Sequence, residues 1–440
     1  MAETTQTSSS APRSRLRTTF RALRHRNYKL FFSGQLISVI GTWMQMVAQS
    51  WLVYRLTGSS VLLGSITFVQ QFPVFVFATL GGMVADRHNR HRIIIGTQTA
   101  AMLLAFVLSW LTLSGWVRIW EIFILAGLLG LVNAFDVAAR QAFVVEMVGK
   151  EDLMNAIALN SSMVNGARIV GPAVAGVLVA SIGEGWCFFA NAVSYMAVIG
   201  GLLLMRLPRW TAHPTSESPL EDIKDGFIWV NRSRAVRDLL LMLGLLSLVG
   251  MPYVMLMPIF ADKILHGGPR GLGFLMCSSG MGSLVASLSI AARTRLKGLG
   301  RWVAISATGF GLFMILFSWS HWFWLSVLLL FPVGFFFMTQ AACTNTLIQA
   351  MVPDRLRGRV MAFFSMMAMG TTPIGSLGAG FVAAHLGAPR TLTLGGITLA
   401  FGAAIFGVRL PGWRASTRRH LADQQAGSGE PSEDMGLPRR

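Results

Sequence analysis

Twelve long apolar runs between Leu30 and Val408 constrain the fold of this chain more than any other feature. Several of them contain no Asp, Glu, Lys or Arg, including Leu30–Tyr54, Val61–Ala85, Ile93–Val117 and Val303–Ser320. About 20 such residues in a helix cross the roughly 30 Å hydrocarbon core of a bilayer. Because backbone polar groups in lipid must be satisfied internally, each run is predicted to be a transmembrane helix. The predicted spans are 30–54, 61–85, 93–117, 119–139, 157–182, 186–205, 239–260, 271–292, 302–320, 322–349, 360–386 and 391–408.

The distribution of charge predicts how the chain is oriented. The net charge of +18 would suggest nucleic-acid binding in a soluble protein, but 53% of the residues are hydrophobic and only 13% are charged. If the N-terminus lies inside, 31 of the 37 Lys and Arg residues fall in cytoplasmic segments and five in outer loops. This bias follows the positive-inside rule. It predicts cytoplasmic termini and the lipid bilayer, not nucleic acid, as the partner.

Other sequence signals exclude several classes of function. Residues 1–29 are basic and contain no apolar run or small-residue cleavage site, so we expect no cleaved signal peptide. The cysteines Cys187, Cys277 and Cys343 are scattered through apolar spans, as expected of buried thiols. Neither a phosphate-binding G-x-x-x-x-G-K-S/T loop nor metal-ligand spacing is found. We therefore predict no metal, no cofactor and no enzymatic activity.

Two halves of six spans are predicted on either side of a hydrophilic linker. The linker contains three prolines, and its Leu220–Val230 stretch has the apolar spacing of an amphipathic helix. The halves are weakly similar at an interval of about 204 residues, as parallel repeats of a transporter would be. The predicted segments are a basic cytoplasmic N-tail 1–29, a bundle 30–205, a linker 206–238, a second bundle 239–409 and a C-tail 410–440.

A charged motif between spans 2 and 3 identifies the superfamily. The stretch Gly82-Met-Val-Ala-Asp86-Arg87-His-Asn-Arg90-His-Arg92 resembles the G-x-x-x-D-R-x-G-R-R signature of the major facilitator superfamily. In it, Gly82 is expected to let helices approach closely, and the charged residues to pair at a cytoplasmic gate. We add to this predicted gate three arginines that lie at the inner ends of spans 4 and 11, namely Arg140, Arg357 and Arg359.

Other stretches narrow the resemblance to one branch of the superfamily. Gly166-Ala-Arg-Ile-Val-Gly171-Pro172-Ala-Val-Ala-Gly176 resembles the glycine-proline motif of superfamily antiporters, and helix packing alone would also account for it. Phe135-Asp-Val-Ala-Ala-Arg-Gln-Ala-Phe and Arg357-Gly-Arg-Val-Met are similar to enterobactin-exporter-like members. The resemblance implies twelve helices in two six-helix bundles, a location in the bacterial inner membrane, and export of siderophores or drugs.

Three ionisable side chains within the predicted spans are candidates for proton coupling: Glu121, Asp136 and Arg168. Such groups are costly in a membrane and mark functional sites. Asp136 is expected to be either a proton site or a structural partner of Arg87, Arg90 or Arg140. Glu121 suits a solvated acid at a helix N-terminus. Arg168 needs a partner or an aqueous cavity, and Asp136 is one partner within reach.

The resemblance implies a central cavity lined by spans 1, 4, 7 and 10. Amides and thioethers among aromatic residues would suit a varied, lipophilic substrate, although each could also serve helix packing. The candidates are Gln45, Gln49, Tyr253, Met255, Gln340 and Asn345.

The prediction is therefore an all-α, twelve-helix secondary transporter, a monomer that exports a small amphipathic molecule in exchange for protons. An importer or facilitator on the same fold, and a sensor or scaffold without flux, are the alternatives. A charged nutrient would call for several buried charges, and the sequence offers few, which favours export.

Overall fold

The computed structural model describes residues 20–207, 219–292 and 298–428. Parts of the predicted tails and linker, residues 1–19, 208–218 and 429–440, lie outside the described residues. Twelve described helices are long and apolar enough to cross a membrane, which confirms the predicted class. In chain order, α1 to α12 are Arg26–Thr57, Ser60–Arg87, Arg90–Leu113, Ile119–Gly149, Glu151–Ile182, Glu184–Leu203, Arg234–Ile264, Gly268–Ala291, Leu299–Ser318, Phe323–Met351, Leu356–Leu386 and Ala388–Arg409.

The predicted loop between spans 4 and 5 is almost entirely helical. The helix α4 extends to Gly149, ten residues beyond the predicted end, and α5 begins two residues later. Only Gly149 departs from helical geometry, with φ of 70°, a value that glycine adopts without strain. The extension is stable because Phe143, Met147 and Val148 are buried in a cluster with Tyr28. The polar residues of this stretch suggested a loop, but burial of its apolar side chains against other parts of unit 1 stabilises a helix.

The helices group by contact into two compact units. Unit 1 contains residues 1–52 and 76–215, and unit 2 contains residues 53–75 and 216–440. The segment 53–75, which the sequence assigned to the N-terminal bundle, thus belongs to unit 2 by its contacts. There, the Tyr54 hydroxyl donates to Asp262 Oδ2 at 2.8 Å, and the Ser60 hydroxyl donates to the carbonyl of Gly380 at 3.0 Å.

Within unit 2, the linker helix Pro219–Arg232 lies against the start of α11. The Phe227 and Phe363 rings contact each other with centroids 6.2 Å apart. Gly226 faces the Cβ of Arg359. The described part of the predicted amphipathic segment is therefore helical, as expected, and packs on a membrane helix through its apolar side.

Glycines let several of the membrane helices approach at backbone distance. In α11, a Cβ on Gly375 would run into the backbone carbonyl of Leu248, whereas a Cβ on Gly378 would meet no atom within 4 Å. The hydrophobic effect does not drive two helices together in lipid, so close packing of their backbones helps to hold them together. The packing therefore requires glycine at position 375 and leaves room for a larger residue at position 378.

We therefore expect Gly375→Ala to destabilise the protein by about 1–3 kcal/mol through overpacking. The midpoint of thermal unfolding of the purified protein in detergent should fall by several degrees. Gly378→Ala is the matched control on the same helix and should leave the midpoint almost unchanged. Equal midpoints for the two variants would contradict the close contact with Leu248.

Candidate functional site

The guanidinium of Arg90 joins three helices of unit 1. It donates to Glu146 Oε1 on α4 at 2.6 Å, to Asp86 Oδ1 on α2 at 3.1 Å and to the Ala85 carbonyl at 3.0 Å. We call Asp86, Arg90 and Glu146 the charged cluster. The side chains are 24 to 49% exposed, so each ion pair contributes only modestly to stability. Because one arginine joins three helix ends, a movement of its side chain would break all of these contacts together.

Sequence reasoning missed Glu146. It lies in a stretch that was expected to be a loop and that matches no motif, yet it is the acid to which Arg90 makes its shorter ion pair. The extension of α4 to Gly149 is what carries this carboxylate to Arg90. The one sequence signal for Glu146 is that it is an acidic residue close to the inner end of span 4.

Gly82 does not make the close helix contact that the motif suggested. A Cβ on Gly82 would meet no atom within 4 Å, whereas a Cβ on the preceding Gly81 would lie 2.5 Å from the carbonyl oxygen of Ala134 on α4. The close approach is therefore one residue earlier, because Gly81 and not Gly82 faces α4. The expected role of Gly82 in helix packing is wrong.

The other predicted gate arginines differ in their surroundings. Arg87 and Arg92 are exposed and form no ion pair with the residues that the structure describes. Arg140 is bound within unit 1 to Asp136. Arg357 and Arg359 lie in the first turn of α11 in unit 2. Their part in a gate stays a prediction.

Asp136 is the centre of a buried cluster between α3 and α4. Its carboxylate, 1% exposed, accepts hydrogen bonds from Arg140, one helical turn away, and from Thr97 and Gln98, each at 2.9 Å. Of the partners that the sequence allowed, Arg140 is the one found. Arg168 is not among the partners of Asp136, so the expected pairing of these two is wrong. The charge is stabilised locally because one cation and two neutral donors replace water.

Thr97 also connects this buried cluster to an open groove of about 360 Å³ along α3 and α4. The groove is lined by Ile93, Ala100 and Leu131 among other residues, and Arg92 lies at one end. Apart from Arg92 and Thr97, the side chains that line the groove are apolar.

Glu121 caps the beginning of α4. Its Oε2 accepts from the backbone N–H of Arg118 at 2.9 Å, within the first turn of the helix. This is the arrangement expected of an acid that satisfies an unpaired amide at a helix N-terminus. Glu121 therefore has a structural role as the cap of α4.

Arg168 lies over the indole ring of Trp43 on α1, with 5.4 Å from the guanidinium carbon to the ring centroid. Gly171 makes this contact possible, because a Cβ there would lie 2.5 Å from the Cβ of Trp43. Both Pro172 and Gly176 are buried, whereas Gly166 is partly exposed and a Cβ there would meet no atom within 4 Å. Of the glycines of this motif with described contacts, only Gly171 makes a close helix contact.

Three of the amides predicted to line the cavity are hydrogen-bonded, two of them to another helix. Gln45 accepts from Asn191 on α6 at 2.6 Å, and Gln340, fully buried, donates to the Met242 carbonyl at 3.1 Å. Asn345 accepts from Gln349 at 2.9 Å, one turn along α10.

Two further cavity candidates lie on α7. The Tyr253 hydroxyl contacts Ser279 on α8 at 2.7 Å. Met255, like Gln49 on α1, is about 95% buried. These contacts give the candidates a packing role, and direct contact with substrate stays a prediction.

A second acidic position was also missed. Asp152 forms an ion pair with Arg21 at 2.8 Å and pairs with His25 at 2.8 Å. Asn155 accepts from the backbone N–H of Ala22 at 2.8 Å. These contacts hold the short 3₁₀ helix Arg21–Arg24 against the beginning of α5. Among the described residues, no group of three or more His, Cys, Asp or Glu side chains could hold a metal ion.

Comparison with known proteins identifies the family. The profile of the transmembrane secretion effector family, a branch of the major facilitator superfamily, matches residues 17–428. The chain belongs to this family. It is 26% identical over 374 residues to the staphyloferrin A transporter of Staphylococcus aureus, covering 84% of this chain and 93% of the relative. It is also 25% identical over 387 residues to the enterobactin exporter EntS of Shigella boydii, covering 88% and 91%.

Solved structures confirm the fold. The nucleoside transporter NupG matches with a TM-score of 0.67 at 15% identity, over 88% of this chain and 99% of NupG. A bacterial homologue of the iron transporter ferroportin matches with a TM-score of 0.64 at 15% identity, over 88% and 98%. The protein is therefore a multi-pass transporter with the major facilitator fold and not an enzyme.

The hydrogen bond between Gln45 and Asn191 generates a test of its structural role. Gln45→Ala should leave the buried Asn191 amide without its partner and cost about 1–3 kcal/mol of stability. Gln49→Ala removes the same group one turn later, where no such hydrogen bond is found among the described residues, and should cost less. Thermal unfolding of both purified variants is the measurement. A Gln45→Ala variant as stable as Gln49→Ala would argue against the link between α1 and α6.

Proposed function

We propose that this transporter exports a small amphipathic molecule, siderophore-like or drug-like, across the bacterial cytoplasmic membrane by alternating access. The observation that carries the proposal is the similarity, over more than four fifths of the chain, to relatives named for staphyloferrin A and enterobactin. The name of the second relative also states export. Cytoplasmic termini, as the positive-inside bias predicts, complete the proposed topology.

Direction is tested with inside-out vesicles from cells that produce the protein. Export in the cell becomes uptake into such vesicles, so labelled enterobactin or staphyloferrin A should accumulate under an imposed gradient. Uptake by right-side-out vesicles instead would indicate an importer. Equal movement in both, without accumulation, would indicate a facilitator, and absence of any flux would favour the sensor or scaffold.

Protons are the proposed coupling ion, and Asp136 is their proposed site. Its carboxylate is almost fully buried and is paired with an arginine, so protonation must weaken that ion pair. A conformational state in which Arg140 moves away would favour the protonated acid, because an unpaired buried carboxylate is costly. Proton binding and the conformation of the α3–α4 region would thereby be coupled.

Asp136→Asn should abolish accumulation driven by a pH gradient in liposomes and retain substrate counterflow, which needs no net proton movement. The reason is that an amide keeps the shape and most hydrogen bonds of the carboxylate but cannot titrate. Glu121→Gln is the control, because Glu121 serves as a helix cap, and it should keep gradient-driven accumulation. Gradient-driven accumulation by Asp136→Asn would remove Asp136 from the proton path.

The charged cluster is proposed to act as a gate whose ion pairs form in one state and break in the other. Arg90→Ala removes both of its ion pairs, and Asp86→Asn removes one. Each exposed pair contributes about 0.2–1 kcal/mol, so the equilibrium between states should shift several-fold.

We therefore expect normal membrane insertion but slower transport, with Arg90→Ala more affected than Asp86→Asn. Arg92→Ala is the matched control, because this exposed arginine forms no ion pair with the described residues. Transport rates of the purified variants in liposomes provide the measurement. Wild-type rates for both cluster variants would count against a gate.

A further inference from the structure

The exposed face of α3 is apolar along most of its length. Exposed residues recur there at helical spacing, from Arg92 and Gly96 near the beginning of the helix to Trp110 near its end. Between them, Leu103 and Val107 are also exposed. A face that is apolar in the middle, with an arginine at one end and a tryptophan at the other, is typical of a helix in contact with lipid. This face of α3 therefore meets the bilayer.

The neighbouring helix α4 has a similar face. Its exposed apolar side chains recur every three or four residues and are Trp120, Ile124, Leu128 and Leu131. Trp120 and Trp110 lie on either side of the short turn between the two helices, so both are at the same surface of the membrane. Gly96 from the first face and Leu131 from the second both line the groove along α3 and α4. The groove therefore opens towards lipid.

The groove extends from the headgroup region into the hydrocarbon. The helix α3 begins at Arg90, two residues before Arg92, and its 24 residues extend for about 36 Å. Since the hydrocarbon core is only about 30 Å thick, the first turn of α3 lies among the headgroups. Ala100, which lines the groove farther along the helix, is about 12 Å from the level of Arg92. A cation thus lies at the headgroup end of an otherwise largely apolar groove.

Both parts of the groove are open to a ligand. Arg92 is exposed and forms no ion pair with the described residues, whereas Arg90 is already paired with Asp86 and Glu146. A Cβ on Gly96 would meet no atom within 4 Å. The glycine therefore leaves space in the groove that a larger side chain would occupy.

We propose that this groove binds an anionic phospholipid, with the phosphate group on Arg92 and part of one acyl chain along the apolar side chains. The phosphate accepts charge-assisted hydrogen bonds from the guanidinium. An anionic lipid binds better than phosphatidylcholine, because Arg92 repels the choline cation. Free phosphate lacks the chain whose burial in the groove adds to binding. The inference is independent of the substrate and of the direction of transport proposed above.

The proposed lipid site sets one condition for the gate experiment. Liposomes for that experiment should contain phosphatidylcholine alone, because Arg92 then has no anionic lipid to lose. Under this condition, Arg92→Ala remains the matched control for the charged cluster.

The test counts the lipids bound to the purified full-length protein by native mass spectrometry, as phosphatidylglycerol or phosphatidylcholine is added in detergent. Wild type should bind the first phosphatidylglycerol more tightly than the first phosphatidylcholine. Arg92→Gln should weaken binding of phosphatidylglycerol about fivefold, as expected for one arginine near an anionic surface, and leave binding of phosphatidylcholine almost unchanged. Excess inorganic phosphate should not displace the lipid, and displacement would contradict a lipid site.

Two further variants separate a specific site from general attraction to positive charge. Gly96→Leu fills the groove without displacing packed atoms and should weaken binding of both lipids. Arg87→Gln is the matched control, because Arg87 is also exposed and forms no ion pair with the described residues but does not line the groove. It should bind phosphatidylglycerol like wild type.

The midpoint of thermal unfolding without added lipid shows whether each variant is folded. If Gly96→Leu is unstable, the comparison of the two arginine variants decides by itself. Equal losses of phosphatidylglycerol binding in Arg92→Gln and Arg87→Gln, or no loss in either, would overturn the proposal.

Discussion

The shortage of hydrogen-bonding partners in hydrocarbon is the constraint on which the rest of this structure depends. It forces the chain into helices and favours polar side chains that find partners, several of them in a neighbouring helix. Gln45 with Asn191, and Tyr253 with Ser279, are such pairs. Polar residues that could have lined a cavity thereby become links between helices, because a buried amide or hydroxyl without a partner is costly.

Charged side chains within the membrane helices need partners for the same reason, and an unpaired charge there costs more free energy than an unpaired neutral group. Asp136 is tolerated because Arg140 and two neutral donors surround it, and Arg168 is stabilised in part by the face of Trp43. The two groups therefore have separate environments, although the sequence allowed them to pair.

Close helix contacts determine which motif residues matter. Gly81 and Gly171 bring backbones together, whereas Gly82 and Gly166 have open space around them. A sequence motif records that a small residue is present but not the direction in which it points. That direction depends on the rotation of each helix about its axis, which the packing of neighbouring helices sets.

The sequence by itself determined the twelve helices, the membrane setting and the superfamily, because long uncharged runs and a charged loop motif are local signals. The sequence also allowed Asp136 to pair with Arg140, one turn along the same helix, and the structure selected this partner from three. Only the tertiary structure decided that Glu146 pairs with Arg90 and that the predicted loop after α4 is helical. These two outcomes depend on contacts between residues distant in the chain and on burial against another helix. Local composition carries no information about such contacts, and therefore could not predict them.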